Sequence, residues 1–159
     1  AEAAEAGNVI APAKSVAELI DHAKKNPGKL NYAEASASQR LSAEMFAKLA
    51  GVKIERVPYK ASPQALGDVA AGQVQIMFPD LPQALTQIEA GRVRGLATTG
   101  PKRTTVTPNL PAIAETVPGY TLVYWLAVFA PAATPKDVQK TLADAIAERL
   151  SRYAHVTGG

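Results

Sequence analysis

The side chains that could do chemistry in this sequence are serines near predicted helix starts, two histidines and a few charged groups. Ser36 and Ser38 are two residues apart, but no general base is visible that could turn either hydroxyl into a nucleophile. His22 falls inside a predicted helix and His155 in the C-terminal tail, and neither has a serine or carboxylate partner at a recognisable spacing. Walker, GxSxG and HExxH motifs are absent. These residue types favour hydrogen bonding to a ligand over catalysis.

The amino-acid composition excludes further classes of function. The 159 residues include no cysteine, so disulfides, thiolate catalysis and cysteine-ligated metals are excluded, and no metal site or cofactor is predicted. With 47% hydrophobic residues and a net charge of +3, the chain is expected to fold. Its basic residues form no cluster with interleaved aromatics, so nucleic-acid binding is not expected. A run of about 18 apolar residues is also lacking, so no membrane-spanning segment is predicted.

Alternating strands and helices would position the polar groups. Strands are predicted at 30–33, 52–59, 74–78 and 93–98, and helices at 15–26, 41–51, 62–72 and 80–91. Ser15 with Glu18 forms a capping box, while Ser62 and Asp80 are predicted N-caps of later helices. This order predicts an α/β fold, a mainly parallel sheet with helices on both faces.

After Thr98 the pattern changes. Residues 99–120 contain four prolines and predict a wrapping connection with one short helical patch at 112–116. The apolar run 120–129 resembles a strand, and a final helix is predicted to begin at Thr134-Pro135. Its apolar stripe is expected to pack on the rest of the chain or on a second copy, and consists of Val138, Leu142, Ala145, Ile146 and Leu150.

The loops that follow the predicted strands form a candidate binding site. In an open parallel sheet, ligands bind beyond the carboxyl ends of the strands, where loops lead into helix N-termini. A single N-cap residue is a common structural feature of a helix start. Several helix N-termini at one edge of the sheet, however, favour a bound anion, and Lys60 could attract it. The loops concerned are Glu34–Ser38, Tyr59–Ser62, Phe78–Asp80 and Thr98–Gly100.

Five motifs in order resemble one family. The run VPYKASPQALGD at 57–68 is similar to the VPYKGxxPALxDL signature of Bug-type receptors, the extracytoplasmic solute-binding proteins of tripartite tricarboxylate transporters. AGQVQIMF at 71–78, AGRVRGLATT at 90–99 and PNLPAIAE at 108–115 resemble the family's GGQVDLMF, AGKLRALAVTS and PDVPTVAEA. Trp125 with FAPAATP at 129–135 is similar to its W…APAGTP, so the resemblance runs from about Val9 to Leu150.

One loop departs from the family pattern. YAEASASQRL at 32–41 is about two residues shorter than the family's YASxGxGSxxHL, lacks its glycines and has Arg40 at the histidine position. Glu34 in this loop would repel an anionic ligand unless its side chain points away or meets an ammonium group.

The resemblance implies one lobe of a periplasmic-binding-protein type II-like receptor. Because such receptors have two lobes and about twice this length, the chain is expected to correspond mainly to the second lobe. Residues 1–11 would be an N-terminal tail or hinge remnant, 12–98 the ligand-binding lobe, and 99–159 the wrapping connection, crossing strand and C-terminal helix. A periplasmic location is implied, with the signal peptide not in this chain.

The resemblance also implies a function and its residues. The expected ligand is a small carboxylate or amino acid, the expected partners are membrane transporter subunits, and self-association through an exposed lobe face is a further expectation. A ligand-sensing module on the same fold is the alternative, and an enzyme is disfavoured. The residues assigned to ligand binding are Ser36, Ser38, Tyr59, Lys60, Ala61, Ser62, Phe78, Pro79 and Asp80.

Overall fold

Helices and strands alternate along the first half of the chain. The computed structural model describes residues 13–123 and 128–157. Its elements in chain order are α1 (Val16–Lys25), β1 (Asn31–Glu34), α2 (Ala37–Ala50), β2 (Glu55–Pro58), α3 (Ser62–Ala70), β3 (Ile76–Met77), α4 (Leu81–Glu89), a 3₁₀ turn (Ile113–Glu115) and α5 (Lys136–Thr157). The first three strands and the first four helices therefore lie in the predicted order, with shorter strands than the sequence pattern suggested.

The three strands form one parallel sheet in the order β2-β1-β3. The central strand β1 pairs along its whole length with β2, from Asn31 opposite Glu55 to Glu34 opposite Pro58. On its other side, Tyr32 and Ala33 pair with Ile76 and Met77. Because all three strands are parallel, their carboxyl ends lie at the same edge of the sheet.

Side-chain alternation along β1 places helices on both faces of the sheet, as predicted. Tyr32 is buried in a core built mainly from α1 and α2, whose buried members include Leu19 and Phe46. The next residue, Ala33, packs in a second core with Ala65 and Val69 of α3. Two separate apolar cores therefore hold the sheet in place from opposite sides.

The proline-rich connection returns to the first of these cores. Ile113, Val117 and Tyr120 are buried there, and the Tyr120 hydroxyl donates to the Ser42 backbone carbonyl at 3.3 Å. The segment 112–120 therefore packs against α2 as part of the same unit. The proposed domain boundaries remain a prediction.

Two predicted strands do not appear among the residues that the structure describes. In 93–98, only Thr98 forms a bridge, parallel to Ala112, and no ladder to β3 is present. In the run 120–129, the described residues 120–123 and 128–129 form no strand, although the Leu122 N–H donates to the Thr99 carbonyl at 3.0 Å. Trp125 lies outside the described residues.

The final helix α5 begins at Lys136, close to the predicted start, but its apolar stripe is not covered by the described part of the lobe. Leu142 is 49% exposed and Leu150 is 63% exposed, and Val138 is also exposed. Of the two expected covers for this stripe, the lobe itself does not provide one among the described residues, and a second copy stays a prediction.

Candidate ligand-binding site

Three loops lie at the carboxyl edge of the sheet, and together they are called the rim: residues 35–38, 59–62 and 78–80. They follow β1, β2 and β3, and the loop after the central strand β1 lies between the other two. The structure therefore brings the nine sequence-predicted residues to one edge of the sheet. Ligand binding by these residues stays a prediction.

Ser36 and Ser38 lie at the N-terminus of α2. Ser36 is its N-cap, and the Ser36 hydroxyl oxygen accepts the Gln39 N–H at 3.3 Å. The Ser36 and Ser38 hydroxyl oxygens are 2.9 Å apart, so one donates to the other. Ser36 is exposed at this end of the helix, where the backbone dipoles favour negative charge.

The N-terminus of α3 differs from the predicted arrangement. Ala61, not Ser62, is the N-cap residue, because Ala61 is the last extended residue and the helix begins one residue earlier than a Ser62 cap would require. Ser62 is the first helical residue, Pro63 lies in the first turn, and no side chain caps the helix. The first N–H groups of α3 have no acceptor within the helix, so they are available at the rim.

Asp80 was predicted to cap α4, and this is only half correct. It occupies the N-cap position, but its side chain makes no capping hydrogen bond. Its backbone carbonyl instead accepts the N–H groups of Gln83 and Ala84, both at 3.1 Å. The exposed Asp80 carboxylate therefore remains an acceptor at the rim.

Gln39 joins two of the loops, although it is not among the nine sequence-predicted residues. Its side chain is buried, with the residue 2% exposed. The Gln39 Oε1 accepts the Ala35 N–H, and the Gln39 Nε2 donates to the Ser62 hydroxyl oxygen, each at 2.8 Å. The available signal was an amide on the buried stripe of α2, since buried amides need hydrogen-bond partners.

Glu34 does not place an uncompensated charge beside the rim. The residue is 6% exposed, and its Oε1 accepts hydrogen bonds from Arg56 Nε at 2.7 Å and from Arg56 Nη2. The guanidinium comes from the neighbouring strand β2, so the charge is met within the chain and not by either expected route, a side chain that points away or an ammonium group. Repulsion of an anionic ligand by Glu34 is therefore offset within the chain.

Tyr59 and Lys60 follow β2 at the rim. The Tyr59 hydroxyl donates to Asp68 Oδ2 of α3 at 2.9 Å, which leaves the ring rather than the hydroxyl for contact with a ligand. Burial, and then the hydrogen bond to the Asp68 carboxylate, raise the pKa of Tyr59, so the phenol stays protonated at neutral pH. Lys60 is exposed and forms no ion pair with any residue of the described ranges.

The third loop borders an apolar cavity. Phe78, Pro79 and Asp80 line one part of a cavity of about 350 Å³ between β3, α4 and the segment 93–100. The Phe78 ring also packs against Phe46 of α2, with ring centroids 6.0 Å apart. This loop is therefore anchored in the core and presents mostly apolar surface.

The described ranges contain no group of three or more acidic or histidine side chains placed to hold a metal ion. None of the helices in those ranges is both long enough and apolar enough to cross a membrane.

The chain matches a known receptor family along almost its whole length. Residues 7–157 match the family model described as the tripartite tricarboxylate transporter family receptor, TctC. Protein BugT of Bordetella pertussis is 34% identical over 145 residues, which are 89% of this chain and 44% of BugT. The chain thus spans less than half the length of this relative.

Solved structures give the same answer for the fold. The R. palustris protein Rpa4515, solved with adipate, is 40% identical with a TM-score of 0.80 and is matched over 82% of this chain and 45% of its own. MatC from Rhodopseudomonas palustris, solved with bound malate, is 26% identical with a TM-score of 0.78 over 86% of this chain and 48% of its own. The sequence resemblance is therefore confirmed: the chain belongs to the tripartite tricarboxylate transporter receptor family, whose members are periplasmic solute-binding proteins.

Proposed function

We propose that this chain forms one wall of a periplasmic receptor site for small carboxylates, which the receptor delivers to a tripartite tricarboxylate-type membrane transporter. The observation that carries the proposal is the junction of the α2 and α3 N-termini at the rim through Gln39. Two sets of helix N–H groups and the hydroxyls of Ser36 and Ser62 lie close together there. Such donors suit a carboxylate, which offers only acceptor oxygens when ionised.

Each rim residue has a distinct role in this proposal. Ser62, the N–H of Ala61 and one hydroxyl of the Ser36–Ser38 pair donate hydrogen bonds to the ligand, while the other hydroxyl of that pair donates within it. Lys60 supplies a positive charge. Tyr59, Phe78 and Pro79 contact the ligand's carbon skeleton. Asp80 receives a ligand hydroxyl or ammonium group, because its exposed carboxylate would repel a carboxylate.

The ligand class is supported by the relatives. Rpa4515 was solved with adipate and MatC with malate, both of which are dicarboxylates. The receptor family to which the chain belongs binds solutes, so we propose binding without turnover for this chain as well.

The test is a titration of the whole chain with adipate and malate that is monitored in ¹H–¹⁵N NMR spectra. Neutral adipamide is the control ligand. A single wall leaves much of a ligand in water, so the expected affinity is millimolar, about −4 kcal/mol. Shift changes centred on residues 36–38 and 60–62, and weaker for adipamide, would support the proposal. Equal shifts with adipamide, or none at the rim, would overturn it, and micromolar affinity would contradict the single wall.

A further inference from the structure

We infer that Gln39 is a positioning residue that fixes the Ser62 hydroxyl as a hydrogen-bond donor toward the rim and thereby tunes the site for anionic oxygen. The inference rests on the proposed function, since it assumes that the rim receives a carboxylate. Gln39 does not itself contact the ligand, because the residue is buried and its amide is hydrogen-bonded to Ala35 and Ser62.

The orientation of the Gln39 amide follows from its partners. A backbone N–H can only donate, so the amide atom 2.8 Å from the Ala35 nitrogen is the acceptor Oε1. The other amide atom, 2.8 Å from the Ser62 hydroxyl oxygen, is therefore Nε2, and it donates. The reverse orientation would place two donors against each other at Ala35.

This orientation determines what the Ser62 hydroxyl can do. Its oxygen already accepts a hydrogen bond from Gln39, so its own proton is directed to a different acceptor. In the described part of the chain, Gln39 is its only hydrogen-bond partner. Ser62 is half-buried at the first turn of α3, so its side chain is accessible from the rim, and its proton can be donated there to an ionised ligand oxygen.

The position of Gln39 on α2 supports a positioning role. It belongs to the buried face of the helix together with Ser42, Ala43 and Phe46, which follow at helical spacing. A buried amide is costly unless both of its ends are satisfied, and here both are. Because α2 is anchored in the core, Gln39 holds the Ala35 peptide and Ser62 in one fixed arrangement.

The decisive variant is Gln39→Glu, which keeps the shape of the side chain but has no N–H. One carboxylate oxygen can still accept from Ala35, while the other must accept from the Ser62 hydroxyl and so turn that proton inward. The rim then loses a donor, and the adipate affinity of the whole chain should fall about tenfold or more. The affinity for neutral adipamide should change much less.

A matched control and a double variant separate this mechanism from general damage. Gln75→Glu makes the same change at the opposite end of the sheet, where Gln75 Oε1 accepts the Asn31 N–H at 3.0 Å, and should alter adipate affinity less than about twofold. In a Ser62→Ala background, Gln39→Glu should reduce the adipate affinity much less than it does in the wild-type chain, because the hydroxyl through which it acts is absent.

The outcomes distinguish the two proposals. If wild-type chain shows no adipate-dependent shifts at the rim, the proposed function fails and the role of Gln39 fails with it. If wild type binds but Gln39→Glu binds equally well, or loses as much affinity in the Ser62→Ala background, only the role of Gln39 is overturned. Should Gln39→Glu not fold, the NMR signals of the Gln39 side-chain amide in the wild-type chain decide the question. These signals should shift when adipate is added, while those of the Gln75 amide stay unchanged. Gln39 signals that do not shift would overturn the inference.

Discussion

At the residue scale, the charge at the rim depends on ion pairs that form within the chain itself. Glu34 and Arg56 illustrate this, because the acidic residue alone argues against anion binding, whereas the ion pair removes that objection. The sequence places an acidic residue at 34 but does not indicate its partner Arg56, which lies 22 residues away on the next strand. The partner could be found only once the register of β1 against β2 was known.

Removing the Arg56 guanidinium should destabilise the fold through Glu34. In Arg56→Met, the buried carboxylate loses its hydrogen bonds and its counter-charge, and the free energy of unfolding should fall by about 1–3 kcal/mol, less than for a fully buried pair because Arg56 is partly exposed. Urea unfolding measures this. The control is Arg40→Met, whose ion pair with Glu44 is exposed at both ends and should be worth less than about 1 kcal/mol. Equal effects of the two variants would contradict the argument.

Tyr59 should make stability depend on alkaline pH. Its pKa in the folded chain is raised above 10.0 by burial and then by the hydrogen bond to Asp68, so the folded state holds the phenolic proton more tightly than the unfolded state. The resulting stabilisation is present below about pH 10 and is lost as the pH rises through the raised pKa. In urea unfolding, Tyr59→Phe should cost about 0.5–1.5 kcal/mol at pH 7 and show a smaller further loss above pH 10. An alkaline loss identical to that of wild type would exclude this role of Tyr59.

At the element scale, the alternation of strands and helices was predictable, and the exceptions have packing reasons. Periodicity and caps predicted α1 to α4 and their order. The helices α1 to α3 bury apolar residues of their own, whereas the apolar residues of α4 are at most half-buried. The segment 93–98 has a strand-like composition, but it faces the cavity rather than the backbone of β3, so no ladder forms there. Local sequence patterns do not report whether a neighbouring strand lies within hydrogen-bond distance, nor do they reveal that Gln39 would reach Ser62.

Gly95 should be a point of close packing within that segment. A Cβ at this position would lie 2.9 Å from Ile88 Cδ1 and 3.1 Å from Leu110 Cδ1, so in Gly95→Ala the ends of these two side chains must shift. Because both contacts are the far ends of flexible side chains that line the cavity, the expected loss in the free energy of unfolding is about 0.5–1.5 kcal/mol. Gly67→Ala is the matched control, since it lies within α3 with nothing near its Cβ and should stabilise the chain by about 0.5–1 kcal/mol. Thermal or urea unfolding of both variants measures whether their changes in the free energy of unfolding have opposite signs. A stabilising Gly95→Ala would contradict this packing.

At the scale of the whole molecule, the fold family could be predicted from five motifs, but the exposure of the apolar stripe of α5 could not. Helical periodicity predicts an apolar stripe and says nothing about what covers it. In the described lobe, Leu142 and Leu150 are left substantially exposed on a 22-residue helix. Contiguous exposed apolar surface of this kind is characteristic of an interaction site.

Self-association through α5 is the last prediction. Because burying one leucine contributes about 1.5–3 kcal/mol, the chain should form dimers or larger species as its concentration rises, with the stripe covered by a second copy. Leu142→Glu should shift the population toward monomer in analytical ultracentrifugation. Ser151→Glu adds the same charge on the opposite side of the helix, about 100° per residue around the axis, and should leave association unchanged. A wild-type chain that stays monomeric at every concentration and is readily cleaved by protease near Leu142 would show that no second copy covers this helix.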